Sequence, residues 1–252
     1  MLKTAIIGYG KMGKAIKAMA KENGLDIVSI IDPSCEGVDF CDINEESLKD
    51  AEVCIDFSHP ESAMVNAEKI AKLGRNIVMG TTGWYPEMER MKNIVEKNNI
   101  GMIWSGNFSV GVNIFFRIVK KAAQIANNVE NYDVFSYELH HNKKADSPSG
   151  TANMIAKILV EEIDRKKNIV YDKLDRQIKP DELHMASVRG GSIPGIHVVG
   201  LDSSADTIEL KHTARNREGF AMGSIMAAKW IKGKKGFFNI DDMMDDVIGG
   251  AK

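Results

Sequence analysis

Leu2-Lys3-Thr4-Ala5-Ile6-Ile7-Gly8-Tyr9-Gly10-Lys11-Met12-Gly13 sets a short apolar run against three spaced glycines. A run of this length ended by glycine predicts a buried parallel strand. From residue 11 to 23 the apolar residues Met12, Ala15, Ile16, Met19 and Ala20 recur at helical spacing, and Gly24 stands where a helix C-terminal glycine belongs. Strand, glycine turn and helix in that order give each glycine distinct work. Gly8 makes the tight turn, Gly10 lets a pyrophosphate approach the backbone, and Gly13 lets helix and strand pack closely. The helix start adds unpaired N–H groups and a positive dipole end. Such a unit needs an acidic residue about 20 residues on, to hold ribose hydroxyls. Asp32, 19 positions after Gly13 and just past a second strand pattern over Leu25–Ile31, occupies that place. Together these features predict a dinucleotide site.

Outward from this unit the rhythm repeats. Strand patterns fall at 53–57, 77–79 and 101–104, with helical periodicity between them at 61–73 and 86–98. Strands alternating with helices predict a parallel sheet covered on both faces. After Asn107 the rhythm changes. A helix is expected at 113–126, a strand at 133–139, a polar loop at 140–149 and a helix at 151–165. Strand patterns at 184–189, 196–201 and 207–213 then follow with short connections. That succession predicts an antiparallel or mixed sheet in a second domain. A last helix near 220–231 is too isolated to stand alone and is expected to return to the first domain. The fold class is therefore α/β: a Rossmann-type dinucleotide-binding domain over 1–107, completed by 219–252, plus an α+β domain with a mixed sheet over 108–218.

The 252 residues suffice for two modest domains, and a net charge of -2 gives no global basic field to attract nucleic acid or an anionic membrane. No apolar run approaches the roughly 20 residues of a membrane span, and the N-terminus lacks a signal-peptide layout. Cys35, Cys41 and Cys54 form no CxxC pair, so they read as free thiols in a reducing compartment rather than a zinc site. The expectation is a cytoplasmic protein without a metal.

Chemistry concentrates in Glu138-Leu139-His140-His141-Asn142-Lys143-Lys144-Ala145-Asp146-Ser147-Pro148-Ser149-Gly150-Thr151. Two of the chain's six histidines are adjacent there, His140 lies four residues before Lys144, and Ser149-Gly150-Thr151 opens a helix. Cations and a helix N-terminus suit a small dicarboxylate, and a histidine can exchange protons near neutral pH. The same residues also read as a solvated loop of charges. Gly80-Thr81-Thr82-Gly83 and Ser105-Gly106-Asn107-Phe108, each directly after a strand, read either as turns or as cofactor contacts.

The order His-His-x-x-Lys-x-Asp-x-Pro-Ser-Gly-Thr-Ala from His140 resembles the signature of the dihydrodipicolinate reductase family. So do Gly80-Thr81-Thr82-Gly83, Asn107-Phe108-Ser109-Val110-Gly111-Val112-Asn113, Val188-Arg189-Gly190-Gly191, and His212 followed by Phe220-Ala221. The resemblance covers nearly the whole chain and implies reduction of 4-hydroxy-tetrahydrodipicolinate to tetrahydrodipicolinate in diaminopimelate and lysine synthesis. It also implies a substrate domain that builds a homotetramer. By resemblance His140 is the acid/base residue and Lys144 the proton donor, while His141, Gly150 and Thr151 contact substrate. Gly8, Tyr9, Gly10, Lys11, Met12, Gly13, Asp32, Gly80, Thr81, Thr82, Ser105, Gly106, Asn107 and Phe108 form the cofactor shell. Asn142, Lys143 and Ile196 depart from the family's pattern and receive no role.

His59 is open to a cleft-edge or helix-start role, His184 reads as a strand residue, and Trp84 and Tyr85 as a cap. Arg189, His212 and Arg217 are expected to shape the second domain. NADH is expected to be preferred over a still usable NADPH. Asp32 would repel a 2′-phosphate, Pro33, Ser34, Cys35 and Glu36 supply no cation, and Lys11 is the one nearby. Two rival readings are another small Rossmann amino-acid dehydrogenase and a non-catalytic NAD(H) sensor. The adjacent histidines and lysine argue against the sensor.

Overall fold

The computed structural model describes residues 1–34 and 36–249. Cys35 therefore lies outside the described residues; Cys54 is buried and Cys41 exposed. The chain forms two compact units, Met1–Val110 with Arg217–Lys252, and Gly111–Asn216.

The first unit carries strands β1 (Leu2–Ile7), β2 (Leu25–Ile31), β3 (Val53–Asp56), β4 (Asn76–Met79), β5 (Gly101–Trp104) and, after the strands of the second unit, β11 (Gly236–Asn239). They lie side by side in the order β11-β5-β4-β3-β1-β2, every pair parallel. Successive strand residues point to opposite faces, and two cores follow. On one face Cys54, Ile77, Met79 and Met102 pack with α3 (Ala63–Lys72) and α4 (Met88–Lys97). On the other, Ile6, Ile55, Val78 and Ile103 pack with α1 (Lys11–Ala20), α7 (Glu218–Ile231) and α8 (Ile240–Gly249). Both faces being covered explains why the strands are continuous apolar runs. Burying one such isoleucine contributes about 1.5–3 kcal/mol, so this sheet does not depend on a ligand for its core.

In this unit three elements escaped the sequence reading, β11, α8 and the one-turn α2 (Glu45–Leu48), and so did the short strand Asn168–Val170 of the second unit. β11 has only Phe237 and Phe238 as apolar residues, too few to show a period. Trp84, expected as a cap, is 3% exposed and meets Tyr85, Trp104 and Phe237 edge to face. Arg217 directly precedes α7 and belongs to this unit.

The second unit holds β6 (Asp133–His140), β7 (Asn168–Val170), β8 (Glu182–Arg189), β9 (Ile196–Asp202) and β10 (Thr207–Thr213), with helices α5 (Val110–Asn127) and α6 (Gly150–Glu162). The sheet order is β10-β9-β6-β8-β7; β9 runs antiparallel to β6 and β10, and β8 parallel to β6 and β7. It is a mixed sheet. Phe115, Val119 and Ala123 of α5 and Ala152, Ile155 and Leu159 of α6 pack on one face against Val134, Met185 and Val199. His184 is a half-buried strand residue of β8. Among the described residues no helix is long and apolar enough to cross a membrane.

Candidate functional site

In the first unit the chain leaves β1 through a turn that only glycine can make. Gly8 has φ +89°, and a Cβ there would stand 2.3 Å from the Phe57 carbonyl oxygen. A Cβ on Gly13 would stand 2.2 Å from the Gly8 carbonyl oxygen, so α1 is drawn against the turn. Among the described residues nothing lies within 4 Å of a Cβ position on Gly10, which leaves its backbone open to a ligand. Tyr9 is half-buried, and Lys11 and Met12 enter the first turn of α1.

Asp32, directly after β2, accepts the backbone N–H of Tyr9 at 2.7 Å and that of Ser34 at 2.8 Å. The Tyr9 ring in turn gathers Lys14 and Lys17, whose Nζ atoms stand 5.7 and 5.5 Å from its centroid.

Strand order reverses at β1, which has β2 on one side and β3 on the other. Ligands of open α/β sheets collect at such a switch point, beyond the carboxyl ends of the strands. A cleft of about 340 Å³ lies there, lined by Gly10, Lys11 and Met12, by Phe57, Ser58 and Pro60, and by Gly80, Thr81 and Thr82. His59 precedes the 3-10 turn Pro60–Ser62 beside it.

Asp56, missed by the sequence reading, organises this edge. Its fully buried carboxylate accepts from Ser58 N–H and Oγ, Thr81 Oγ1 and Asn66 Nδ2 at 2.7–3.0 Å. Burial pushes its pKa above the carboxylate range, and those donors act against the rise. Thr81 is thereby spent on structure, whereas Thr82 is exposed. Ser105 Oγ bridges to the Asn107 backbone, and Gly106 is exposed. The Phe108 side chain is 1% exposed and packs in the core, so only its backbone can face a ligand.

In the second unit the site is built by strand register. Val134, Ser136, Glu138 and His140 alternate along β6 on the face that carries the helices. Directly opposed residues share a face. Glu138 pairs with Ser187 of β8 and His197 of β9, and His197 with His212 of β10. The result is a polar row, Ser187–Glu138–His197–His212, with His140 and Arg189 paired one step along. His140, expected in a loop, is the buried last residue of β6.

Glu138 is the hub. Its Oε1 accepts from Ser149 N–H at 2.9 Å, Ser187 Oγ at 2.9 Å and Arg189 Nη2 at 2.8 Å. Its Oε2 accepts the Ser149 hydroxyl and faces His140 Nδ1 at 3.1 Å and His197 Nε2 at 3.4 Å. Burial pushes the Glu138 pKa up, but the bonds from His197, Ser149 and Arg189 outweigh it and hold the carboxyl below its ordinary range. Ser149 caps α6, accepting the Ala152 N–H at 3.1 Å, so one carboxylate fixes both His140 and the helix start. Gly150 is exposed there, and Thr151 is half-buried.

Burial pushes the His140 pKa down to about 4, against the pull of Glu138 and with help from His197, Lys144 and Arg189. Burial thus favours the neutral imidazole. Burial likewise lowers the pKa of His212, whose ring lies 6.5 Å from that of His197. Lys144 Nζ bonds Asp146 at 2.7 Å, and Arg189 reaches the Asp146 carbonyl at 2.7 Å, tying the lysine's loop to the hub. His141 is half-buried with an unpartnered Nδ1.

Glu138, His140 and His197 bring donor atoms within 4.8 Å of one another, close enough to surround a cation. Arg189, Ser149 and Ser187 already occupy the carboxylate, and Arg189 neutralises it.

Residues 2–108 match the family described as dihydrodipicolinate reductase, N-terminus, and residues 111–244 match the corresponding C-terminus. The chain is 36% identical to a 4-hydroxy-tetrahydrodipicolinate reductase of Christiangramia forsetii, over 97% of its own length and 98% of the relative's. It is 39% identical to the enzyme of that name from Archaeoglobus fulgidus, over 97% and 100%. The fold resembles that of a dipicolinate-bound dihydrodipicolinate reductase from Paenisporosarcina sp. TG-14, with TM-score 0.77 and 23% identity over 95% of this chain and 97% of that one. With both halves matched in order and relatives aligned almost end to end, the chain belongs to the dihydrodipicolinate reductase family.

Proposed function

We propose that this chain reduces 4-hydroxy-tetrahydrodipicolinate to tetrahydrodipicolinate with a reduced nicotinamide dinucleotide, in diaminopimelate and lysine synthesis. The observation that carries this reading is the convergence of His140 and the start of α6 on Glu138, with the loop of Lys144 tied to the same hub through Asp146 and Arg189. The curated relatives carry that activity in their names.

The first unit is the coenzyme domain. The open backbone at Gly10, the forced turn at Gly8 and the cleft at the switch point fit a dinucleotide. Tyr9, Lys11, Met12, Asp32, Thr82, Ser105, Gly106 and Asn107 complete its shell in this reading. NADH is preferred because Asp32 meets the ribose with a carboxylate. NADPH stays usable because Lys11, and behind it Lys14 and Lys17, supply positive charge.

The second unit is the substrate domain. The α6 N-terminus, with Gly150 and Thr151, receives one carboxylate of the substrate, and His141 assists. Reduced nicotinamide supplies the hydride. As the ring accepts it, electron density moves towards the ring nitrogen, and a positioned cation must meet that charge. Lys144, steered by Asp146, is that cation and the proton donor; His140 takes part in the proton transfers.

A cytoplasmic homotetramer completes the proposal. Its support is the second face of the mixed sheet, where Leu139 sits between Val188 and Ile196 in register and Val188 is 50% exposed. The reading is tested by competition. Pyridine-2,6-dicarboxylate should raise KM for the substrate without lowering kcat, and indifference to it at millimolar concentration would contradict the carboxylate cradle.

A further inference from the structure

We propose that Glu138 is a positioning residue for the reaction assigned above, holding His140 as the neutral imidazole that carries its single proton on Nδ1. The inference rests on that reading for its role in turnover, but the tautomer itself is a property of the free protein.

The two oxygens of Glu138 face different partners. Oε1 is taken by Ser149 N–H, Ser187 Oγ and Arg189 Nη2. Oε2 is turned towards two imidazoles, with His140 Nδ1 at 3.1 Å and His197 Nε2 at 3.4 Å. His140 Nδ1 is buried, and among the described residues no aligned hydrogen bond reaches it. Oε2 stands beside it, though off the line of a good hydrogen bond. Were Nδ1 unprotonated, its lone pair would lie beside a carboxylate oxygen 3.1 Å away at a buried atom, two acceptors side by side and poorly screened. A proton on Nδ1 turns the same contact into attraction.

A second proton on the ring is opposed from several elements. Burial is the largest influence against positive charge on His140, and His197 of β9, Lys144 of the loop after β6 and Arg189 of β8 add to it, whereas Glu138 of β6 pulls the other way without reversing it. Nε2 is therefore bare. Gly195, at φ +153°, lies against it, and a Cβ there would stand 3.1 Å from Nε2, so the absence of a side chain keeps this nitrogen uncovered on that side. His140 is thus a proton acceptor in the resting protein, and the donor role falls to Lys144.

One sequence-distant residue, His197, shares this work. His197 Nε2 lies 3.3 Å from Ser149 Oγ, so the α6 cap and the imidazole pair meet at one carboxylate oxygen. His212, next along the row, is half-buried with an unpartnered Nδ1.

The test is a long-range ¹⁵N histidine spectrum of the whole protein near neutral pH, with His140 assigned from its loss in His140→Gln. The expected pattern is a protonated Nδ1 and a bare Nε2. A protonated Nε2, or a doubly protonated ring, overturns the proposal. Because no substrate is needed, the spectrum stands or falls independently of the reaction. Glu138→Gln supplies the second arm: its His140 should shift towards the Nε2–H form, with kcat lower by about tenfold or more and coenzyme affinity unchanged. A folded variant that keeps the Nδ1–H tautomer overturns the proposal whatever its kcat, and so does one that switches tautomer without losing turnover. Should Glu138→Gln fail to fold, the unmodified protein's spectrum decides alone.

Discussion

Asp32 reaches back across the glycine turn to Tyr9, accepting its backbone N–H on Oδ2 at 2.7 Å. The carboxylate is thereby held at the adenosine end of the proposed coenzyme site, where a 2′-phosphate would meet a like charge. NADH is expected to exceed NADPH in kcat/KM by about tenfold, the equivalent of about 1.4 kcal/mol. Lys11→Ala should weaken NADPH more than NADH. Parallel titrations of the two coenzymes at fixed substrate check both expectations, and a clear NADPH preference in the unmodified protein would sink the argument.

His140 is the buried last residue of β6, outside the hydrophobic cluster that holds this unit together, and Lys144 is half-buried in the loop beyond it. His140→Ala and Lys144→Ala should therefore fold and bind coenzyme. Each should lose about 10²–10⁴-fold in kcat, the usual contribution of a general acid or base. Near-normal kcat in either variant would remove that residue from the chemistry.

Thr151 stands at the second position of α6, beside the exposed Gly150. Thr151→Val removes a hydroxyl proposed to touch the substrate carboxylate in ground and transition states alike. Such a loss raises KM and leaves kcat nearly unchanged. The contrary result, a large fall in kcat at constant KM, would place Thr151 in the reaction itself.

Stability should fall on acidification, and the sign follows from two groups. His140 has its pKa lowered from 6.5 to about 4, so its contribution is present above 6.5 and is lost as pH falls towards 4. Glu138 is also lowered from 4.5, so its contribution is present above 4.5 and is lost further down. Between pH 7 and pH 5 the His140 effect alone amounts to about 1–2 kcal/mol. Urea midpoints at the two pH values measure it. In His140→Gln the difference between them should shrink, and an unchanged difference would assign it to other groups.

The glycine turn and the alternating strands were legible because their signals are local. Gly8, Gly10 and Gly13 act within one turn, and each apolar run declares its own strand. The hub in the second unit was not legible in the same way. Glu138, His197 and His212 lie far apart in sequence and meet only through strand register, which pattern alone does not supply. The period of two along β6 does place Glu138 and His140 on one face, a usable signal that the reading of 140–149 as a loop concealed. Asp56 was missed, and the burial of the Phe108 side chain was not foreseen, for a related reason. Burial decides whether such a residue supports a site or faces it, and burial depends on elements as distant as α7.

The central claim is that this chain turns over 4-hydroxy-tetrahydrodipicolinate at the expense of reduced nicotinamide. The direct measurement is the initial rate of loss of coenzyme absorbance when that substrate, generated enzymatically, is added to the protein with NADH and, separately, with NADPH. Oxidation that strictly requires the substrate, is faster with NADH and disappears in Lys144→Ala is the expected result. Coenzyme that binds but is not consumed, under conditions where a known reductase of the family consumes it, would contradict the account.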